Sequence, residues 1–230
     1  MALIAAIPTL IDKLDTVEQV RDQIACILAI ESANQVALAT TASKPTPNEW
    51  ALQVYMERSN PFEKWLNTPT DDEKLIPIVN VYFDTETFDP ASSTKRERQK
   101  ADATFNIDVY GYGEAEDDGN SGFTAGDENA ARASQRGVRL CRNILMSPIY
   151  RYLKMQGTVW GRWTRSITQF QPELDGQAIQ NIIGTRIAFA VEYNELSPEV
   201  IPETLELLSA QVKRADDGKL LIETDYNYTP

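Results

Sequence analysis

Hydrophobic and polar residues alternate strictly over one stretch of this chain. Ala103, Phe105, Ile107 and Val109 are interleaved with Thr104, Asn106, Asp108 and Tyr110. A period of two puts the sets on opposite faces of an extended chain and predicts a half-buried strand. Upstream, residues 76–83 read the same way, with Val79, Val81 and Phe83 on one side and Ile78, Asn80 and Tyr82 on the other. The two segments form a long-armed antiparallel pair. Trp50, Leu52, Val54 and Met56 predict an earlier strand. Residues 159–170, with Trp160, Trp163 and Ile167, predict another, as do residues 185–192, where Ile187, Phe189 and Val191 alternate with Arg186, Ala188 and Ala190. Residues 205–226 predict a hairpin turning at Asp217-Gly218.

Two segments switch to helical period. The first starts near Asp15, with Asp15 or Thr16 as cap and Glu18 or Gln19 three residues on. Val17, Val20, Ile24, Ile27 and Leu28 make its stripe, which frays at Glu31 and Gln35, so a break is expected before Pro45–Pro47. Its other side, Cys26, Ala29, Ile30 and Ala33, is apolar too. That side is either buried in its own domain or covered by a neighbouring subunit. The second helix spans about 127–146. Ala130, Ala133, Gly137, Leu140, Cys141 and Ile144 face inward, and Arg132, Arg136, Arg139 and Arg142 outward. Asp127 and Glu128 suit its N-terminal dipole, and Ser147-Pro148 stops it, with one more turn over 149–153.

Between these elements lie loops. Residues 57–74 are polar. Residues 84–100 carry Lys95, Arg96, Arg98 and Lys100 and read as an exposed, mobile loop for contacts with other proteins. A Gly-rich acidic loop over 113–127 holds Glu114, Glu116, Asp117 and Asp118. The order predicts an α+β fold: a mostly antiparallel sheet packed by two main helices, with extended loops and a C-terminal hairpin arm. A boundary near Ser197–Pro202 divides a core, 1–196, from an arm, 197–230. The expected core is Val79, Val81, Phe83, Phe105, Ile107, Val109, Ile187, Phe189 and Val191 under Leu140 and Ile144.

Composition narrows the function. Of 230 residues, 42% are hydrophobic and 24% charged, ordinary for a globular protein, but the net charge is −12. Phosphate affinity needs clustered cations, so a surface that grips DNA throughout is excluded. The two cysteines, Cys26 and Cys141, have no metal spacing and predict reduced thiols in a cytosol. The apolar start lacks a basic region and is broken by Asp12, so no signal peptide is expected; nor is any run of transmembrane length. There is no histidine, no GxGxxG, no P-loop and no nucleophile elbow. Carboxylate-only chemistry remains possible for an enzyme. The acidic loop is therefore weighed as an Mg²⁺ or Ca²⁺ site of a metal-dependent hydrolase, against a solvated loop or a DNA-repelling channel wall. The expectation is no enzyme, no cofactor and no metal. Trp160 and Trp163 fall on opposite faces of one strand, so one is core and the other a candidate interface anchor, unless both faces are covered.

Three stretches carry a resemblance: IPIVNVYF with ATFNIDVYGYGE; ENAARASQRGVRLCRNIL followed by VWGRWTRSITQF; and GTRIAFAVEYNELSPEVIPETLELL leading into DDGK. In this order they resemble the tail terminator and neck (collar) proteins of tailed bacteriophages. The resemblance implies a structural virion protein forming a homo-oligomeric ring, usually a hexamer, that joins the tail tube to the head connector. Its partners would be itself, tail tube and sheath proteins and connector proteins, with genomic DNA passing unbound and no membrane involved. It would assemble in the host bacterial cytoplasm and reside in the virion. Another head-completion protein, or the carboxylate hydrolase, stays open. For a ring, Arg132, Arg136, Arg139 and Arg142 are candidate interface residues against Glu114, Glu116, Asp117 and Asp118 of a neighbour.

Overall fold

The computed structural model describes residues 14–66, 76–90, 98–117, 119, 122–174, 177–179, 181–196, 207–213 and 220–227. The chain divides into a unit of Leu14–Ser197 and a second of Met1–Lys13 with Pro198–Pro230. In the second unit β10 (Leu207–Lys213) pairs antiparallel with β11 (Leu220–Asn227), the expected hairpin. Its Asp217-Gly218 turn and the Ser197–Pro202 boundary lie outside the described residues.

The larger unit is α+β. Five strands form one sheet in the order β1 (Gln53–Met56), β2 (Ile78–Asp89), β3 (Arg98–Tyr112), β9 (Ile182–Leu196) and β6 (Val159–Phe170). Every pairing is antiparallel except β1 with β2, whose 57–77 connection is long enough for a parallel crossover. Short pairs β4 (Glu116–Asp117) with β5 (Phe123–Thr124), and β7 (Glu173–Leu174) with β8 (Gln177–Ala178), lie between the main strands. Helices α1 (Thr16–Thr41) and α3 (Gly126–Met146) share one core with the sheet face that carries Val79, Val81, Phe105, Ile107, Val109, Ile187, Phe189 and Val191. A four-residue α2 (Glu63–Leu66) lies in the crossover.

Several expectations change. α1 ends at Thr41, ahead of Pro45 as expected, but Glu31 and Gln35 do not loosen it on the way. Gln35 Nε2 donates to Glu31 Oε1 at 2.7 Å one turn back, and Tyr150 Oη donates to Glu31 Oε2 at 2.8 Å, so the polar pair reinforces the helix. No side chain caps it as a capping box; the Thr16 N–H donates to Glu195 Oε2 of β9 at 3.0 Å. α1 is also long and apolar enough to cross a membrane by composition, with a mean hydropathy of 1.3, contrary to the sequence expectation. Val20, Ile24, Ala25, Ile27 and Leu28 pack into the core, so part of that apolar surface is the buried face of a core helix.

The described ends of the 84–100 segment are sheet: Thr85–Asp89 pair with Thr104–Lys100. Phe83 meets Phe105 edge-on at 6.3 Å but stays exposed where the ladder skips a residue. The first strand starts at Gln53, because Pro47–Trp50 forms a 3-10 turn. The 57–74 stretch is not bare loop. Phe62 and Trp65, three residues apart, are buried with Ile78, Tyr110 and Ile182. They cover one end of the second sheet face. β3 is buried on both faces, Thr104, Asn106, Asp108 and Tyr110 included, rather than half-buried, and at its Tyr110 end Phe62 and Trp65 supply the cover. β6 carries bulges at Trp160 and Arg165, which break its alternation. Neither tryptophan becomes core: Trp160 is 54% exposed and Trp163 is half-buried.

α3 approaches the sheet closely. A Cβ on Gly111 would lie 2.3 Å from the Ala130 carbonyl oxygen, and one on Gly137 2.6 Å from Val109 Cγ1. Ser134 donates to the Val109 carbonyl at 2.8 Å. Val138 and Leu145 join the buried stripe, while Ala133 and Leu140 remain half-buried.

Candidate functional site

The outer surface of the helix layer holds the four arginines singled out in the sequence. Helical period brings Arg132, Arg136, Arg139 and Arg142 to one side of α3, and the structure divides them into two pairs. Arg132 is bonded to Glu128 one turn earlier, and Arg136 Nη1 lies 3.6 Å from Glu49 Oε1. Arg139 and Arg142 are exposed and have no ion partner among the described residues. Glu49 sits on the Pro47–Trp50 turn beside Trp50. That turn is tied to α1: Ser32 Oγ donates to the Trp50 carbonyl at 2.9 Å and accepts from the Leu52 N–H at 2.7 Å. Between turn and helix runs a groove of about 200 Å³ lined by Glu49, Trp50, Arg136, Arg139, Leu140 and Asn143.

On the same layer, the second side of α1 is uncovered. Cys26, Ala29, Ile30, Ala33 and Ala37 recur at helical spacing and are exposed, Ile30 by 46%; Leu38, beside them, is 61% exposed.

The acidic stretch is a two-rung hairpin, not an open loop. Glu116 faces Thr124 and Asp117 faces Phe123, whose ring is 71% exposed. Asp117 accepts from the Gly119 N–H at 3.0 Å. Glu114 is held apart from the pair, accepting from Tyr112 Oη at 3.0 Å, and its carbonyl accepts from Asn129 Nδ2. Asp118 lies outside the described residues, and no metal-binding cluster occurs among those that are described. Within one chain no ion pair joins these carboxylates to the arginine side among the described residues.

Of the expected contact loop, Lys95 and Arg96 also lie outside the described residues. Arg98 and Lys100 prove to be strand residues, a correction to the loop reading. The Arg98 guanidinium lies 5.2 Å over the Trp160 ring, and Lys100 Nζ is 3.3 Å from Glu192 Oε1. Cross-strand pairing engages both with the sheet.

Sequence reasoning missed a second polar cluster, on the sheet face opposite the helices. Asp108, 3% exposed, receives Arg186 Nε at 2.7 Å and Nη2 at 2.9 Å, Tyr82 Oη at 3.0 Å and Tyr110 Oη at 3.3 Å. Arg186 stacks over Phe170 and Tyr82 at 5.2 and 5.6 Å. Around them lies an open cavity of about 350 Å³ that also reaches Glu57, Arg58 and Asn80. Burial, then the Asp108 charge, pushes the phenols of Tyr82 and Tyr110 well above their usual range. The bonds from Asp108 hold Arg186 firmly charged. Tyrosines kept protonated beside a neutralised ion pair are poor bases and poor nucleophiles. Cys141, wholly buried, has its thiol pushed up to about 12 by burial and is inert by the same reasoning. The only signal in the sequence was a charged residue at matching positions of two otherwise strong strands.

Comparison of the chain with models of known families and with curated proteins finds no match.

Proposed function

We propose that this chain is a structural subunit of a homo-oligomeric ring, a tail terminator or neck protein of a tailed phage, and that it is not an enzyme. The observation that carries the reading is the uncovered helix layer. One side of α1 is built into the core, and the opposite side keeps an apolar stripe facing outward with Ile30 and Leu38 exposed. An apolar helix face, on a layer that also carries guanidinium groups without an ion partner among the described residues, is the composition of a surface made to be covered by protein. The order helix, strands, helix, strands supports the family resemblance, from which the number six is taken. The polar cluster at Asp108 serves in this reading as a structural staple. Acidic surface left over after assembly keeps passing DNA from adhering.

Size measurement tests this. Light scattering coupled to size exclusion should give a mass several times the 25.8 kDa chain mass at high protein concentration. A chain that remains at the monomer mass throughout a concentration and salt series, and with tail tubes present, sinks the ring reading. Substrate turnover in a hydrolase and nuclease screen, lost on Asp117→Ala, would sink the non-enzymatic part.

A further inference from the structure

We propose that subunits join head to tail by a knob and a socket. The knob is the β4–β5 hairpin of one copy, with Phe123 directly across from Asp117. The socket is the groove between Trp50 and Leu140 of the next copy, edged by Arg139, with Arg142 three residues further along α3. This contact rests on the ring reading and names the surfaces that would form it.

The socket combines apolar walls with charged side chains, Glu49, Arg136 and Arg139. Trp50 and Leu140 supply the apolar walls of the groove of about 200 Å³. A cavity of about 150 Å³ is known to hold benzene, so one phenyl ring fits in scale. The walls are fixed in place, because Ser32 binds the Trp50 carbonyl and the Leu52 N–H together. Internal pairing removes two charges: Glu128 takes Arg132 and Glu49 takes Arg136. Arg139 and Arg142 remain, three residues apart and so on one side of the helix.

The knob is the mirror of this. Phe123 is 71% exposed and lies directly across the hairpin from Asp117. Glu116 and Asp117 are exposed and have no ion partner among the described residues. An apolar ring beside the Asp117 carboxylate thus meets an apolar groove edged by the Arg139 guanidinium. The ring supplies the desolvated anchor, and the charges set the register.

The chain cannot satisfy this contact by itself. β5 ends at Thr124 and α3 begins at Gly126, so the hairpin is fixed at the N-terminal end of that helix, where Asn129 holds the Glu114 carbonyl. Arg139 lies about 20 Å along the same helix, at roughly 1.5 Å per residue. A knob and a socket at separate places on one chain make a heterologous contact, which closes into a ring when the rotation fits. A second copy of this chain is therefore the occupant.

Two variants and their mixture test it. Phe123→Arg destroys the knob and leaves the socket; Arg139→Glu with Arg142→Glu destroys the socket and leaves the knob. All three positions are exposed, so both proteins should melt like the wild type; Phe123→Ser replaces Phe123→Arg if that one does not. Each variant alone should stay monomeric in light scattering. Mixed in equal amounts, they retain one usable contact between them and should stop at a one-to-one pair of twice the chain mass. Variants that assemble as the wild type does, or a mixture of natively melting variants that stays monomeric, overturn the contact while leaving the ring reading intact. A wild type that never assembles removes both.

Discussion

Arg186 stands directly across the ladder from Asp108 and grips its carboxylate with two hydrogen bonds, at 2.7 and 2.9 Å. The pair lies on the two central strands, on the face away from the helices. A carboxylate 3% exposed there would be costly without a cation, and the planar guanidinium supplies two parallel donors.

Arg186→Ala should therefore destabilise the fold by about 2–3 kcal/mol. This is below the range for a fully enclosed pair, because the guanidinium is itself 40% exposed and screened by solvent. Arg186→Ala with Asp108→Asn should recover part of the loss, since no charge is then left buried. Urea unfolding checks both; a double variant less stable than Arg186→Ala would show that the carboxylate is not stranded.

High pH should weaken the protein through its buried phenols. Tyr82, Tyr110 and Tyr193 are all raised above the ordinary value of 10.0, chiefly by burial. The charge of Asp108 adds to the first two, and the bond to Glu86 adds to Tyr193. In the unfolded chain they ionise near 10 and release protons that the folded chain retains. Their contribution is therefore complete below pH 10 and is lost as pH rises from there toward the folded values. Melting temperature should fall above pH 10, with tyrosinate absorbance rising together with unfolding. Tyr193→Phe should shallow the fall.

Ile107→Ala and Ile30→Asp should separate fold from assembly. Ile107 is wholly buried between α3 and the sheet core, so truncation should cost about 2–5 kcal/mol. Ile30 points outward, so the charge should leave stability within about 0.5 kcal/mol while reducing assembly. Thermal melts and light scattering on the same samples give both readings; a large stability loss for Ile30→Asp would show that α1's outer side is already covered.

Gly111→Ala should be among the worst single-methyl changes in the chain. The added carbon meets backbone at 2.3 and 2.4 Å, the Ala130 oxygen and the Ser134 nitrogen, so α3 itself must move off the sheet. A loss of about 3 kcal/mol, the upper end for overpacking, is expected in denaturant unfolding. Wild-type stability would mean the helix is not pressed against β3.

Local periodicity alone determined much of this protein. Residues 103–109, 159–170 and 185–192 were legible as strands, and 127–146 as a helix with an outward arginine side, because a period of two or of 3.6 is written within a few residues. The α+β class followed from their order. What tertiary structure decided are the relations between distant residues. β9 enters between β3 and β6, so Arg186 reaches Asp108 across 78 positions of sequence. Phe62 and Trp65 fold back over Tyr110, and a strand that alternates apolar with polar is buried on both faces. Four arginines identical in the helical pattern split into two that are paired and two without an ion partner among the described residues, because Glu49 arrives from another element to meet Arg136. Periodicity records which side of an element turns inward; the partner on the other side of a contact is set by three-dimensional packing, where burial makes an unpaired charge or an empty space costly enough to select one arrangement.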